Sequence, residues 1–185
     1  EKYVGYKEDS FTPAIFEINK YLKEGNNLIS CIVTHYCSGS WLEDQDFWRL
    51  SGIFRPVNII LYPKNFIQDV FVNPILSETL DVGELNISIK LNKKTTGKIQ
   101  LFLSDSEDKR DKINIEDFNI NSLTRGPLFT EIEIKDQDEI NFSKLIENVS
   151  IYSHENPNLY TLFIKLITDG DTNKHECAIE FGYRK

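Results

Sequence analysis

Apolar and polar residues alternate along most of this chain with the two-residue period of β-strands. Leu85-Asn86-Ile87-Ser88-Ile89-Lys90-Leu91 is the clearest run, with one face to bury and one to wet. Lys98-Ile99-Gln100-Leu101-Phe102-Leu103 is a second, and Lys93-Lys94-Thr95-Thr96-Gly97 between them predicts a turn. Further strands are predicted from the run at 66–75, from Thr130-Glu131-Ile132-Glu133-Ile134-Lys135, and from 159–166 and 176–181. Asp169-Gly170-Asp171 predicts the turn between the last two. Short alternating strands with no helical period between them describe a β-sandwich of immunoglobulin or fibronectin type. The first third predicts strands at Phe16-Glu17-Ile18, at the β-branched run 28–34, and at 57–62, with a turn over Lys23-Glu24-Gly25-Asn26-Asn27. Pro63-Lys64-Asn65 punctuates the chain, which predicts one domain over 1–63 and another over 64–185.

Composition agrees with this all-β expectation. The chain has 185 residues, 40% of them hydrophobic, enough for a core. The net charge of -8 argues against a phosphate backbone as partner. No apolar run approaches the roughly 18 residues of a membrane span, so no membrane partner is expected. Cys31, Cys37 and Cys177 are an odd, widely spaced set, which predicts buried, reduced thiols in a cytosolic protein. No zinc spacing links them to His35, His154 or His175. The charge run at 104–112 predicts a solvated loop.

One stretch breaks the strand rhythm. From His35 to Pro56 the chain predicts a long loop, yet it carries Trp41, Phe47, Trp48 and Phe54. So many aromatics favour an ordered, functional loop. Within it, Glu43, Asp44 and Asp46 stand beside the two indoles. Carboxylates accept from hydroxyl groups and rings cover apolar sugar faces, so this mixture points to sugar recognition.

The same stretch carries a resemblance. Leu42-Glu43-Asp44-Gln45-Asp46, with Trp48 and Ser51-Gly52-Ile53-Phe54-Arg55, resembles the signature near the end of the sugar-binding domain of family 2 glycoside hydrolases, closest to their large bacterial β-galactosidases. Tyr3-Val4-Gly5-Tyr6, Pro13, Phe16-Glu17-Ile18 and Gly25-Asn26-Asn27-Leu28 are similar to the segment before it. Downstream, Glu155-Asn156-Pro157-Asn158-Leu159-Tyr160 and Phe181-Gly182-Tyr183-Arg184 resemble short motifs of the following immunoglobulin-like domain and of its junction with the catalytic barrel.

The resemblance implies a partial jelly-roll (galactose-binding-like) sandwich followed by an immunoglobulin-like one. It implies a bacterial, cytoplasmic parent acting on β-galactosides, whose two catalytic carboxyl groups lie in a barrel absent from this chain. The 185-residue piece would then be inactive. Asp46 matches the family's carboxylate that reaches the galactosyl hydroxyls and helps hold a monovalent cation. Na⁺, and Mg²⁺ elsewhere in the parent, are the implied cofactors, with none held by this chain alone. Trp48 and Arg49 are weaker substrate-binding candidates. Trp41 and Trp48 are expected to anchor the loop in the core. Arg49 and Arg55 are expected to pair with Glu43 or Asp44. With its earlier strands absent, the 1–62 segment is expected to be partly rearranged or held by association between copies. A close variant is the same segment of a β-glucuronidase or β-mannosidase of the family, against which Glu43-Asp44-Gln45-Asp46 favours the galactosidase; two other readings remain at this point. One is a stand-alone carbohydrate-binding or adhesin module of two sandwiches; the other is a structural spacer, which leaves the aromatic and acidic loop unexplained.

Overall fold

The computed structural model describes residues 2–8, 12–42, 52–104, 126–168 and 174–185. They fall into two compact units, Glu1–Ile59 and Ile60–Lys185. The secondary structure is nearly all β, and no described helix is long and apolar enough to cross a membrane.

The second unit holds five strands: β1 (Ile67–Leu76), β2 (Val82–Ser104), β3 (Leu128–Glu147), β4 (Tyr160–Thr168) and β5 (His175–Phe181). All pairings between them are antiparallel. The first half of β2 lies between β1 and the end of β3, with Val72 and Phe142 opposite Ile87. Its second half lies between the start of β3 and β4, with Ile132 and Leu166 opposite Ile99. Strand β5 then extends the sheet beyond β4. Two strands therefore run through both halves of a curled sheet.

This corrects the predicted turn at 93–97. The polar, Gly-terminated sequence does not reverse the chain; it bends one continuous strand of 23 residues. The ladder slips at Lys90, Thr95 and Gly97, as a bulge must when a strand turns sharply without leaving its sheet. Strand β3 bends at the same level. Asp136 takes a positive φ of 51° there, and its N–H donates to Thr96 Oγ1 at 3.1 Å.

The period-two pattern delivers the core. Leu85, Ile87, Ile89 and Leu91 from one half of β2, and Ile99 and Leu101 from the other, are buried in one cluster with Ile134, Leu162, Ile164 and Leu166. Each such side chain contributes roughly 2 kcal/mol by leaving water. The motif around Pro157 closes one end. Ser153 and Asn156 bond each other through N–H donors, and Asn158 Nδ2 donates to Ile151 O at 3.0 Å. That turn lets Tyr152 N–H donate to Tyr183 O at 2.7 Å, while Tyr160 Oη accepts from Ser150 N–H at 2.7 Å. Tyr160, Phe181 and Tyr183 then pack ring on ring, with centroids 5.5–5.7 Å apart. The two short downstream motifs are thus one structural clasp.

The first unit differs from its sequence expectation. Its described residues contain two short 3₁₀ turns, Asn19–Tyr21 and Ser38–Trp41, and no strand. The β-branched run 28–34 has no ladder partner, and Leu28 and Ile32 are both 93% exposed. Strand propensity alone cannot build a sheet; it needs a neighbour to satisfy its N–H and C=O groups. The cysteines also depart from expectation. All three are free thiols, but Cys31 is exposed, and Cys37 and Cys177 are only half-buried. Burial still pushes the Cys177 thiol up to about 11. The expected turn at 169–171 and most of the charged loop, residues 105–125, lie outside the described residues.

Candidate functional site

The aromatic and acidic loop is described on both of its flanks. On the leading side, Cys37 N–H donates to Ser40 Oγ at 3.0 Å and Leu42 N–H to Gly39 O at 3.0 Å, which rolls Ser38–Trp41 into a 3₁₀ turn. Glu8 ties this turn to the start of the chain by accepting from both Ser38 Oγ and Tyr6 Oη. The Ser38 hydroxyl first, and the Tyr6 hydroxyl second, hold the Glu8 carboxyl below the usual carboxylate range. Lys7 Nζ adds a bond to Pro13 O at 2.8 Å. This brace holds the entry to the signature.

Trp41 is not the core anchor expected of it. Its side chain is 90% exposed, because the described residues of this unit form no strand pair to pack over it. The Trp41 ring is left as an open apolar surface beside the acidic stretch. On the trailing side, Gly52 takes a φ of 110°, which marks it as a turn, and the Arg55 guanidinium lies 5.5 Å from the Phe54 ring centroid. Asp46, Trp48 and Arg49 lie outside the described residues, as do Glu43 and Asp44, the expected partners of the arginines. Among the described residues, no three His, Cys, Asp or Glu side chains gather to hold an ion. His35 is exposed, and its ring lies edge-on to Tyr36, 4.4 Å away. His154 is exposed with Nε2 3.9 Å from Glu155 Oε1.

The second unit contains two features that motif reasoning missed. The first is His175, at the start of β5. Its Nδ1 accepts from Ile67 N–H at 3.3 Å, and its ring sits 5.9 Å from Tyr62 and 6.1 Å from Phe66. Tyr62 and Phe66 stack on each other at 4.4 Å. Asn92 completes the tie by accepting from Phe66 N–H at 2.9 Å and donating to Lys64 O at 3.2 Å. Burial holds the His175 pKa below the ordinary imidazole value. The folded chain therefore keeps the ring neutral below about pH 6.5, where an unfolded imidazole takes up a proton. In that range the unfolded state binds the extra proton, so the contribution of His175 to stability falls as the pH drops below about 6.5. Urea midpoints at pH 7.5 and 5.5 should differ more for the parent chain than for His175→Asn, which keeps an acceptor but cannot be charged.

The second feature is a groove on the outer face of β1–β2–β3, with a volume of about 320 Å³. Ladder register aligns its lining. Phe71, Ser88 and Asn141 form one cross-strand row, and Asn73, Asn86 and Ser143 form the next. The signal was in the sequence, at the polar positions between Leu85, Ile87 and Ile89, but only the register brings three strands together.

Comparison with known proteins gives these features a context. The family model for the "Glycosyl hydrolases family 2, sugar binding domain" matches residues 1–63, and the model "Glycosyl hydrolases family 2" matches 65–184. A beta-galactosidase of Priestia megaterium (strain DSM 319 / IMG 1521) is 39% identical over 165 residues, covering 89% of this chain and 15% of that protein. A beta-galactosidase of Streptococcus thermophilus is 38% identical over 185 residues, covering 99% and 16%. One from Clostridium acetobutylicum is 35% identical over 184 residues, covering 99% and 18%. The chain thus spans less than a fifth of the length of these relatives. Among solved structures, apo Bacteroides uniformis beta-glucuronidase 3 aligns with a TM-score of 0.56 at 19% identity, over 75% of this chain and 15% of that one. At that identity the likeness speaks for the fold alone.

Proposed function

The chain belongs to glycosyl hydrolase family 2, and on that footing we propose that it is the non-catalytic leading segment of a β-galactosidase, which helps shape a substrate site whose chemistry is encoded elsewhere. The observation that carries this is near end-to-end similarity, at 35–39% identity, to proteins named beta-galactosidase that are several times longer. The first unit supplies the sugar-facing loop. The open apolar rows at Leu28 and Ile32 fit a sheet completed by further strands of the whole protein.

Asp46 is the side chain assigned to the sugar. A carboxylate accepts hydrogen bonds from two hydroxyls at once, and such charge-assisted bonds are strong and short. Holding the galactosyl ring in one orientation lowers the barrier without any covalent step. The same carboxylate offers one hard oxygen to a monovalent cation. Hydrolysis with retention needs two further carboxyl groups about 5 Å apart across the scissile bond, and these are assigned to the barrel. The brace from Glu8 and Tyr6 to Ser38 fixes the entry to the loop.

Two measurements test this. The 185-residue chain alone should hydrolyse a chromogenic β-galactoside no faster than buffer. In the whole enzyme, Asp46→Ala should lower kcat/KM by about 10- to 100-fold, the worth of one or two hydrogen bonds to a charged group, with the urea midpoint unchanged. Unaltered kinetics would remove Asp46 from the site.

A further inference from the structure

We propose that the groove on the outer face of β1–β2–β3 is a second saccharide-binding surface, built entirely within the second unit. On the face that also carries the exposed Ile75 and Leu145, the Phe71 ring of β1 is 65% exposed. Beside it stand the carboxamides of Asn73, Asn86 and Asn141 and the hydroxyl of Ser88. The Ser143 hydroxyl is already engaged, donating to Glu84 Oε1 at 2.9 Å. The three carboxamides carry no such bond within the described residues.

The chemistry of this lining selects its ligand. A carboxamide both donates and accepts, as a sugar hydroxyl does, so three of them can meet a row of hydroxyls whatever way each points. An exposed ring next to them covers the apolar C–H face of a pyranose. No lysine or arginine lines the groove, which excludes phosphate or nucleic acid as the recognised group. The volume of about 320 Å³ falls at the lower end of small-ligand sites, roughly 300–1,000 Å³. The occupant is therefore a neutral mono- or disaccharide, held weakly because the groove is shallow.

An NMR titration of the 185-residue chain with lactose tests this at the side-chain amide signals of Asn73, Asn86 and Asn141. Saturable shifts at those signals are expected, with millimolar affinity. Phe71→Ala should weaken binding by roughly tenfold; the ring is exposed, so its removal leaves the core intact. Asn86→Ala should weaken it comparably, and Asp46→Ala should leave it unchanged. Unmoved signals at roughly 50 mM lactose, or a Phe71→Ala chain that binds like its parent, would overturn the proposal. Shifts abolished by Asp46→Ala but not by Phe71→Ala would also end it, while leaving the assigned role of the first unit standing.

Discussion

Gly97→Ala should lower the stability of the second unit by about 3 kcal/mol. Two separate costs add at this position. Gly97 has a φ of 153°, where a residue with a β-carbon is strained. The new methyl group would also lie 2.2 Å from Ile167 O and 2.9 Å from Thr168 Cα. Both are backbone atoms of β4, and Thr168 is the direct ladder partner of Gly97. No rotamer change can relieve that clash; β4 must move away from β2, at the cost typical of forcing an extra methylene into a filled interior. Urea unfolding followed by circular dichroism measures the loss. A change below about 0.5 kcal/mol would mean that β2 and β4 do not approach as closely as described.

The second large effect concerns Tyr183. Its side chain is fully buried in the ring cluster with Tyr160 and Phe181, and Gly83 leaves room for it: a β-carbon there would meet the Tyr183 ring at 2.4 Å. Truncation by Tyr183→Ala should cost about 3–5 kcal/mol, as for other buried rings. Tyr183→Phe should do the opposite. The hydroxyl is buried without a hydrogen-bond partner among the described residues, and burial pushes its pKa far above the ordinary phenol value. Removing it should raise stability by about 1 kcal/mol, since an unpaired buried hydroxyl loses its hydration for no return. Thermal unfolding of the two variants separates ring from hydroxyl. A Phe variant less stable than the parent would show that a buried water bonds the hydroxyl.

How much of this was legible beforehand depended on whether the information was local. Strands β1, β4 and β5 follow the runs at 66–75, 159–166 and 176–181 within a residue or two, because strand-forming composition is a local property, although β4 is buried on both faces. The continuity of β2 was hidden. Lys93-Lys94-Thr95-Thr96-Gly97 has the composition of a loop, and only its pairing with β3 and β4 keeps it in the sheet. The first unit failed in reverse: the 28–34 run has every local mark of a strand but no partner to pair with. The candidate loop was legible as chemistry rather than as geometry. Asp46 stood out by its neighbours and by the motif around it. The Phe71 groove did not, because Asn73, Asn86 and Asn141 are scattered over 69 positions of chain and meet only through register.

The bend shared by β2 and β3 carries a mechanical consequence. Because the same two ribbons pass through both halves, neither half can peel away and leave the other standing. A load on the β1 end therefore reaches the β4 ladder along β2, across the bulged bend at 93–97. The second unit is therefore expected to give way as one piece rather than strand by strand.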